Sequence, residues 1–233
     1  MATIIHIETS TDICSVALSQ DGLCTFHKEN REGPSHARVL APMVAEAVDM
    51  ADSRGIALDA VAVSAGPGSY TGLRIGVSTA KGLCYGRNLK LIGLQTLEVL
   101  CVPVLLNEKF ETLLDGETLL CPMLDARRME VYTALYDRAL HPAQDISPLI
   151  VDEHTFCDVL EHRRVVFFGN GAAKCKTVIT HPNATFIDDI EPLAVNMLPL
   201  ADKAMMLGQT ADVAYFEPFY LKEFMAGTAK KLF

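Results

Sequence analysis

A glycine-rich segment, Gly66-Pro67-Gly68-Ser69-Tyr70-Thr71-Gly72, has the residue types that most directly suggest binding chemistry. It joins an apolar run to a helix-like pattern, and the backbone N–H groups at a helix N-terminus can bind an anion. It is not a Walker A loop, because Leu73-Arg74 follow its last glycine, and its glycines are misplaced for a dinucleotide-binding motif. Two interpretations stay open: an anion site at Gly66, Gly68 and Ser69, or a tight turn in which glycine permits close packing.

The elements that would position this segment follow one order twice. In the first half, the residue pattern predicts strands at 3–8, 14–19, 23–28, 60–64 and 90–93 and helices at 35–51, 69–86 and 95–105. In the second half, it predicts strands at 118–124, 130–136, 146–151, 165–168 and 185–187, helices at 153–163 and 193–207, and a short helix after Gly169-Asn170-Gly171. Two βββαβαβα units predict the duplicated ribonuclease-H-like fold of actin-like (ASKHA) ATPases, an α/β fold of mixed sheets flanked by helices. We expect two lobes, residues 1–106 and 107–233, with the last residues able to pack back on the first lobe.

Two turns stand where an actin-like ATPase places its phosphate-binding loops. Glu8-Thr9-Ser10-Thr11 ends the first strand, and Asp125-Ala126-Arg127-Arg128 is the matching turn of the second half. Such loops usually contain glycine, which lets the backbone approach a phosphate, and neither turn has one. Solvated turns are the favoured interpretation. The alternative is a vestigial site for phosphate, ATP or ADP, formed by Glu8, Thr9, Ser10, Gly66, Gly68, Ser69 and Asp125.

Other classes of active site lack the residues they need. A two-metal nuclease requires several converging carboxylates, and the fourth strand ends in Ser64-Ala65-Gly66 without one. Ser10 and Ser69 lack the local G-x-S-x-G context of a serine hydrolase. His36 has Leu40 at the position where a helical metal pair would have its second histidine. The sequence therefore predicts no metal site and no catalytic residue.

Composition limits both the partners and the location of the chain. The 233 residues carry a formal net charge of −9, which argues against sequence-independent nucleic-acid binding by this chain alone. There is no apolar stretch of about 18 residues and no visible export signal, so we expect a cytoplasmic protein without membrane contact. The seven cysteines show no C-x-x-C pair and fit free thiols in a hydrophobic core.

The first two predicted helices have more apolar surface than one sheet can cover. Apolar residues occupy roughly 240° of the first helix, whereas an ordinary surface helix needs a stripe only slightly wider than about 100°. The second helix has a stripe of small residues that would let another backbone approach closely. We therefore predict either mutual packing inside the monomer or, as the favoured alternative, a subunit interface formed by Val39, Leu40, Met43, Gly72, Gly76 and Ala80.

Several of these segments together resemble the TsaB family, also called YeaZ. The resemblance rests mainly on residues 64–76, SAGPGSYTGLRIG. It is supported by four further segments: Ile7-Glu8-Thr9-Ser10, residues 35–42, residues 125–132 and Glu217-Pro218-Phe219-Tyr220-Leu221. The match extends over nearly the whole chain. It departs from the family pattern at Glu8, where aspartate is usual, and at Tyr70, where phenylalanine is more common.

The resemblance implies a role in making threonylcarbamoyladenosine, the modified adenosine beside the anticodon of certain tRNAs. It implies a scaffold without catalytic activity or a required cofactor, which pairs with a TsaD-like catalytic subunit and is joined by a TsaE-like ATPase. It also implies a homodimer through the first lobe when the chain is alone. The TsaD paralogue binds a metal through H-x-x-x-H, whereas the comparable residues here are Thr96-Leu97-Glu98-Val99-Leu100.

Two other functions stay open at this point: an active actin-like ATPase or small-molecule kinase, and a metallopeptidase, after an older name for the wider family. The net charge leads us to expect that tRNA is bound only with the help of the partner. Lys222, Lys230 and Lys231 form a basic C-terminal run, for which a solvated end is the favoured interpretation.

Overall fold

Two units of similar order make up the chain, which we describe from a computed structural model for residues 2–33 and 35–221. The strands are β1 Thr3–Glu8, β2 Cys14–Gln20, β3 Leu23–Asn30, β4 Ala60–Gly66, β5 Lys90–Gln95, β6 Leu119–Asp125, β7 Glu130–Tyr136, β8 Pro142–Ile150, β9 Val165–Phe168 and β10 Ala184–Ile187. The α-helices are α1 His36–Ser53, α2 Tyr70–Arg87, α3 Thr96–Leu106, α4 Cys157–His162, α5 Ala172–Cys175 and α6 Leu198–Met206. Within the described ranges, none of these helices combines the length and apolarity that a membrane crossing requires.

The two sheets have the same topology. The first sheet has the order β3-β2-β1-β4-β5, and the second, read from its other end, has the matching order β8-β7-β6-β9-β10. In both, the first strand of the unit pairs antiparallel with the second and parallel with the fourth. This confirms the predicted duplicated ribonuclease-H-like architecture of actin-like proteins.

The central strands form because their residues suit burial on both faces of a sheet. All residues of β1 and β4 are buried, as expected for strands that pair in parallel beneath helices. The turn between β2 and β3 has positive φ angles at Asp21 and Gly22, as the Asp-Gly signal predicts. Between α2 and β5 the chain turns at Asn88, which also lies in the left-handed region.

The prediction of a long helix at 153–163 was wrong. The Asp152 carboxylate accepts hydrogen bonds from the backbone N–H groups of His154 and Thr155 at 3.0 and 2.9 Å. These bonds hold a turn, and Phe156 then adopts a left-handed φ of 69°. Helix α4 can therefore begin only at Cys157.

Helices near the lobe boundary pack across it. Leu97, Leu100 and Val104 of α3 contribute to a core cluster with residues of β6, β7 and β9 in the second sheet. Conversely, Ala194 and Met197, in a short 3₁₀ helix, and α6 pack against β1, β4 and β5. The Ala194 N–H donates to the Ser15 hydroxyl at 2.9 Å. Each lobe thus completes its core with a segment that lies on the other side of the boundary in sequence.

After α6 the chain runs back along the first lobe as residues 211–221, which we term the C-terminal strap. Ala211 forms a bridge with Leu91 on the edge strand β5. The Lys81 ammonium donates to the carbonyls of Ala214 and Phe216, both at 3.0 Å. The predicted basic run at Lys222, Lys230 and Lys231 lies outside the described residues.

Candidate functional site

The turn after β1 is closed by the carboxylate of Glu8. This side chain is fully buried. Its Oε1 accepts a hydrogen bond from the Ser10 N–H at 2.6 Å, and its Oε2 accepts one from the Ser64 hydroxyl. Burial raises the pKa of the Glu8 carboxyl above its ordinary value, and these hydrogen bonds oppose the shift. Glu8 therefore holds the turn against β4, and its carboxylate does not face solvent.

The glycine-rich segment packs directly on this turn. The Ser69 N–H donates to the Ser10 carbonyl at 2.6 Å, and the Thr9 hydroxyl donates to the Gly72 carbonyl at 2.8 Å. A Cβ atom at Gly68 would lie 2.5 Å from the Ser10 carbonyl oxygen. Gly66 has a φ of 119°, and the Phe219 carbonyl approaches it closely. The structure thus favours the close-packing interpretation of these glycines, because the space beside them contains protein backbone.

The predicted interface residues do not form an external surface, and this expectation is corrected. Leu40, Met43 and Ala80 are buried in the core of the first lobe. Gly72 and Gly76 are buried as well, and a Cβ atom at either position would overlap Thr9. Among the six residues, only Val39 is partly exposed. Gly72 and Gly76 therefore leave space for the β1–β2 turn of their own lobe. That contact explains why small residues are needed at these positions of α2.

A different part of the same two helices faces outward. At 100° per residue, the buried residues of α1 cover about 140°, so part of the apolar arc is left over. Ala41 and Ala45 lie beyond this buried arc and are exposed, and Ala37 in the first turn of α1 is exposed as well. Next to these alanines lies a groove of about 530 Å³, which we term the α1–α2 groove. Its lining residues are Ala37, Tyr70, Thr71, Arg74, Ile75, Ser78 and Thr79.

An aromatic and cationic cluster stands at one end of the α1–α2 groove. The rings of Tyr70 and Tyr220 have centroids 5.0 Å apart, and the Arg74 guanidinium lies 5.3 Å from the Tyr70 centroid. Arg74 also donates to the Tyr70 hydroxyl at 2.8 Å. The Phe219 N–H donates to the Ala65 carbonyl at 2.6 Å, which fixes the strap beside the glycine-rich segment. The sequence places residues 217–221 in the family pattern and predicts that the last residues can pack back on the first lobe, but it does not predict this contact.

The matching turn of the second lobe has a different environment. Asp125 is exposed, and its carboxylate accepts hydrogen bonds from the Arg127 N–H at 2.8 Å and from the Lys174 ammonium at 2.5 Å. The Asn170 side chain accepts a hydrogen bond from the Asp125 N–H at 2.9 Å. The seven residues of the predicted vestigial site are thus divided: six lie together in the first lobe, and Asp125 is engaged in the second.

One buried polar pair has no counterpart in the sequence analysis. His6 is fully buried in β1, and its Nε2 lies 2.8 Å from the Ser19 hydroxyl. Burial lowers the pKa of His6 to about 3, so the ring is neutral near pH 7.

Within residues 2–33 and 35–221, no group of three His, Cys, Asp or Glu side chains could hold a metal ion.

Comparisons with known proteins identify relatives over nearly the whole chain. Residues 31–216 match the family described as TsaD, tRNA N6-adenosine threonylcarbamoyltransferase. The chain is 30% identical to the tRNA threonylcarbamoyladenosine biosynthesis protein TsaB of Escherichia coli (strain K12), with 96% of each chain covered. It is also 30% identical to the TsaB protein of Bacillus subtilis (strain 168), with 94% of each chain covered. Among solved structures, the chain resembles YeaZ from Pseudomonas aeruginosa with a TM-score of 0.73, 26% identity, and 95% and 100% of the two chains covered.

Proposed function

The chain belongs to the TsaB family, and on that basis we propose that it is a non-catalytic scaffold for threonylcarbamoyladenosine modification of tRNA. In this proposal it pairs with a TsaD-like catalytic subunit and works with a TsaE-like ATPase. It acts in the cytoplasm, forms a homodimer when alone, needs no cofactor and meets tRNA only within the complex.

The observation that best supports a non-catalytic role is the closed turn after β1. A phosphate-binding turn must present its backbone N–H groups to the ligand. Here the Ser10 N–H donates to Glu8, and the Ser69 N–H donates to Ser10. The glycines that would leave room for phosphate are in contact with Thr9 and Ser10. Both N–H groups are therefore used in contacts within the lobe.

The α1–α2 groove supports the scaffold role by its shape and composition. Small side chains such as Ala37, Thr71 and Ser78 line a surface on which a helix of another subunit can approach closely. The exposed alanines of α1 extend this surface along the helix. We propose that the homodimer and the TsaD-like partner use this one surface and therefore compete for it.

A pair of serine variants tests the proposal. Ser78→Arg places a long charged side chain in the α1–α2 groove, whereas Ser53→Arg makes the same change at an exposed position near the end of α1. Overpacking typically costs about 1–3 kcal/mol, and each 1.4 kcal/mol is about tenfold in affinity. Ser78→Arg should weaken self-association and TsaD-like partner binding by about tenfold or more in sedimentation and titration experiments. Ser53→Arg should leave both unchanged.

Reconstituted modification then tests the scaffold role itself. Threonylcarbamoyl transfer to tRNA by the TsaD-like subunit should require this chain and should fall with Ser78→Arg in proportion to complex formation. The isolated chain should show no magnesium-dependent ATP turnover. Turnover by the pure chain that disappears in Asp125→Ala would overturn the non-catalytic assignment, and transfer that proceeds equally well without the chain would overturn the scaffold assignment.

A further inference from the structure

The turn between β6 and β7 presents two consecutive arginines in a rarely used backbone conformation. Arg127 and Arg128 have φ angles of 71° and 51°, and neither is buried. Residues other than glycine, asparagine and aspartate seldom adopt this left-handed region, because their Cβ atoms meet the backbone. Glycine or asparagine would form the turn with less strain, so folding alone does not explain arginine at both positions.

The turn is held together without the arginine side chains. The Glu130 N–H donates to the Arg127 carbonyl at 3.1 Å, and the Arg127 N–H donates to the Asp125 carboxylate. Lys174 is the cation that pairs with Asp125, and it also donates to the Glu130 carbonyl at 2.6 Å. Across the part of the chain that the structure describes, no carboxylate lies within ion-pair distance of the Arg127 or Arg128 guanidinium.

The duplicated fold does not by itself require positive charge at the β6–β7 turn, as two other parts of the molecule show. The matching turn of the first lobe contains Thr9 and Ser10, which are buried against α2. Another pair of adjacent arginines, Arg163 and Arg164, lies 3.6 and 3.9 Å from the carboxylates of Glu117 and Asp115. The β6–β7 turn thus combines solvent access, local positive charge and a fixed backbone in a chain with a net charge of −9.

We propose that Arg127 and Arg128 contact the phosphate backbone of tRNA in the assembled complex. This inference rests on the proposed function and adds a nucleic-acid contact to it. Guanidinium groups match the geometry of phosphate oxygens and bind them through paired N–H donors. Two such arginines on an acidic chain orient a tRNA that the partner also holds, and they do not give this chain strong binding by itself.

The test measures tRNA binding by the complex of this chain with its TsaD-like partner at several salt concentrations. Arg127→Asn with Arg128→Asn removes both charges and keeps a residue type that tolerates positive φ. The affinity should fall by about tenfold or more at low salt, and the slope of log affinity against log salt should decrease by about 2, because each arginine neutralises one phosphate. The melting temperature should be equal to or higher than that of the parent. If this variant does not fold, Arg127→Gly with Arg128→Gly replaces it, because glycine adopts positive φ without strain.

Arg163→Asn with Arg164→Asn is the matched control, since it removes the same number of charges from the same lobe. Its salt slope should stay close to that of the parent. An unchanged slope in the Arg127/Arg128 variant would overturn the proposal. So would dissociation of the TsaD-like partner from the complex, because that result would assign the turn to an acidic protein surface. The reconstituted transfer assay shows separately whether modification requires the chain. Failure of the tRNA-contact proposal can therefore be distinguished from failure of the scaffold proposal.

Discussion

At the scale of single residues, Glu8 shows how a position typical of a phosphate site can serve packing. A carboxylate is costly to bury unless its oxygens accept hydrogen bonds. Ser10 and Ser64 supply these bonds, and the raised pKa of Glu8 shows that desolvation is the largest influence on the carboxyl group. The side chain therefore fastens the β1–β2 turn to β4, and burial disfavours its ionised form relative to water.

Glu8→Gln should make the protein more stable at neutral pH. The introduced amide can accept from the Ser10 N–H and donate to the Ser64 hydroxyl. Because the folded pKa of Glu8 lies above its ordinary value of 4.5, the unfolded chain loses this proton first as pH rises. The parent thus loses stability as pH rises through this window, and the variant does not. Melting temperatures from pH 4 to 8 should diverge in favour of the variant as pH increases.

Glu32→Gln is the control for this pH series, since it changes an exposed carboxylate of the same lobe. If the melting temperatures of the parent and Glu8→Gln differ by the same amount at every pH from 4 to 8, burial of Glu8 does not cause the pH dependence.

The residues of the predicted site could be selected from the sequence, but their contacts could not. Glu8, Thr9, Ser10, Gly66, Gly68 and Ser69 do lie together, because β1 and β4 are parallel neighbours and their carboxyl ends meet. Whether such neighbours leave space for a ligand depends on distances of a few ångströms. Residue types do not determine these distances, and only the structure shows Thr9 and Ser10 in the space beside the glycines.

At the scale of secondary-structure elements, helix α2 shows why glycines occur at particular positions. The helix accepts glycine at four positions, although each costs about 1 kcal/mol relative to alanine in a helix interior. Gly72 and Gly76 face Thr9, whereas a Cβ atom added at Gly82 or Gly86 would meet no other atom within 4 Å. The first pair therefore has a packing reason inside the lobe, whereas the residues that the structure describes give none for the second pair.

Gly76→Ala and Gly82→Ala should have opposite effects on stability. The added methyl at position 76 would overlap the Thr9 hydroxyl, and overpacking of this kind costs about 1–3 kcal/mol, which exceeds the gain in helix propensity. The methyl at position 82 meets open space, so the helix should gain about 0.5–1 kcal/mol. Chemical denaturation measures both. Combining Gly76→Ala with Thr9→Ala should cost less than the sum of the single changes. An additive result would show that Gly76 and Thr9 do not interact.

At the scale of the whole molecule, the sequence predicts the duplicated topology but only hints at the exchange of helices between lobes. The order of strands and helices is enough for the topology, because each unit repeats the same connections. The sequence of helix α3 indicates this packing, because residues 96–106 are apolar nearly all round. A helix of this kind is buried on several sides. The sequence could show that α3 has two neighbours, but not that one of them is the second sheet.

Residues 1–106 expressed alone should therefore not form a stable lobe. Without α6 and the 3₁₀ helix at Ala194–Met197, the face of the first sheet that contains Ile4, Ala62 and Ile92 is exposed to water. The α3 residues that pack on β6 are exposed as well. Circular dichroism and size-exclusion chromatography should show an unfolded or aggregated fragment, whereas co-expression with residues 107–233 should give a soluble pair. A monomeric, cooperatively melting fragment would contradict this view of the fold.

The late position of α6 in the chain also affects how the protein is made. The ribosome synthesises the five strands of the first sheet before residue 96, but their covering segment ends at Met206, about 110 residues later. At roughly 5–20 residues per second, the nascent chain exposes this apolar face for about 5–20 s. The first lobe can therefore complete its core only after α6 has been synthesised, although the strands of its sheet come first. The growing chain should be a substrate for ribosome-associated chaperones during that interval.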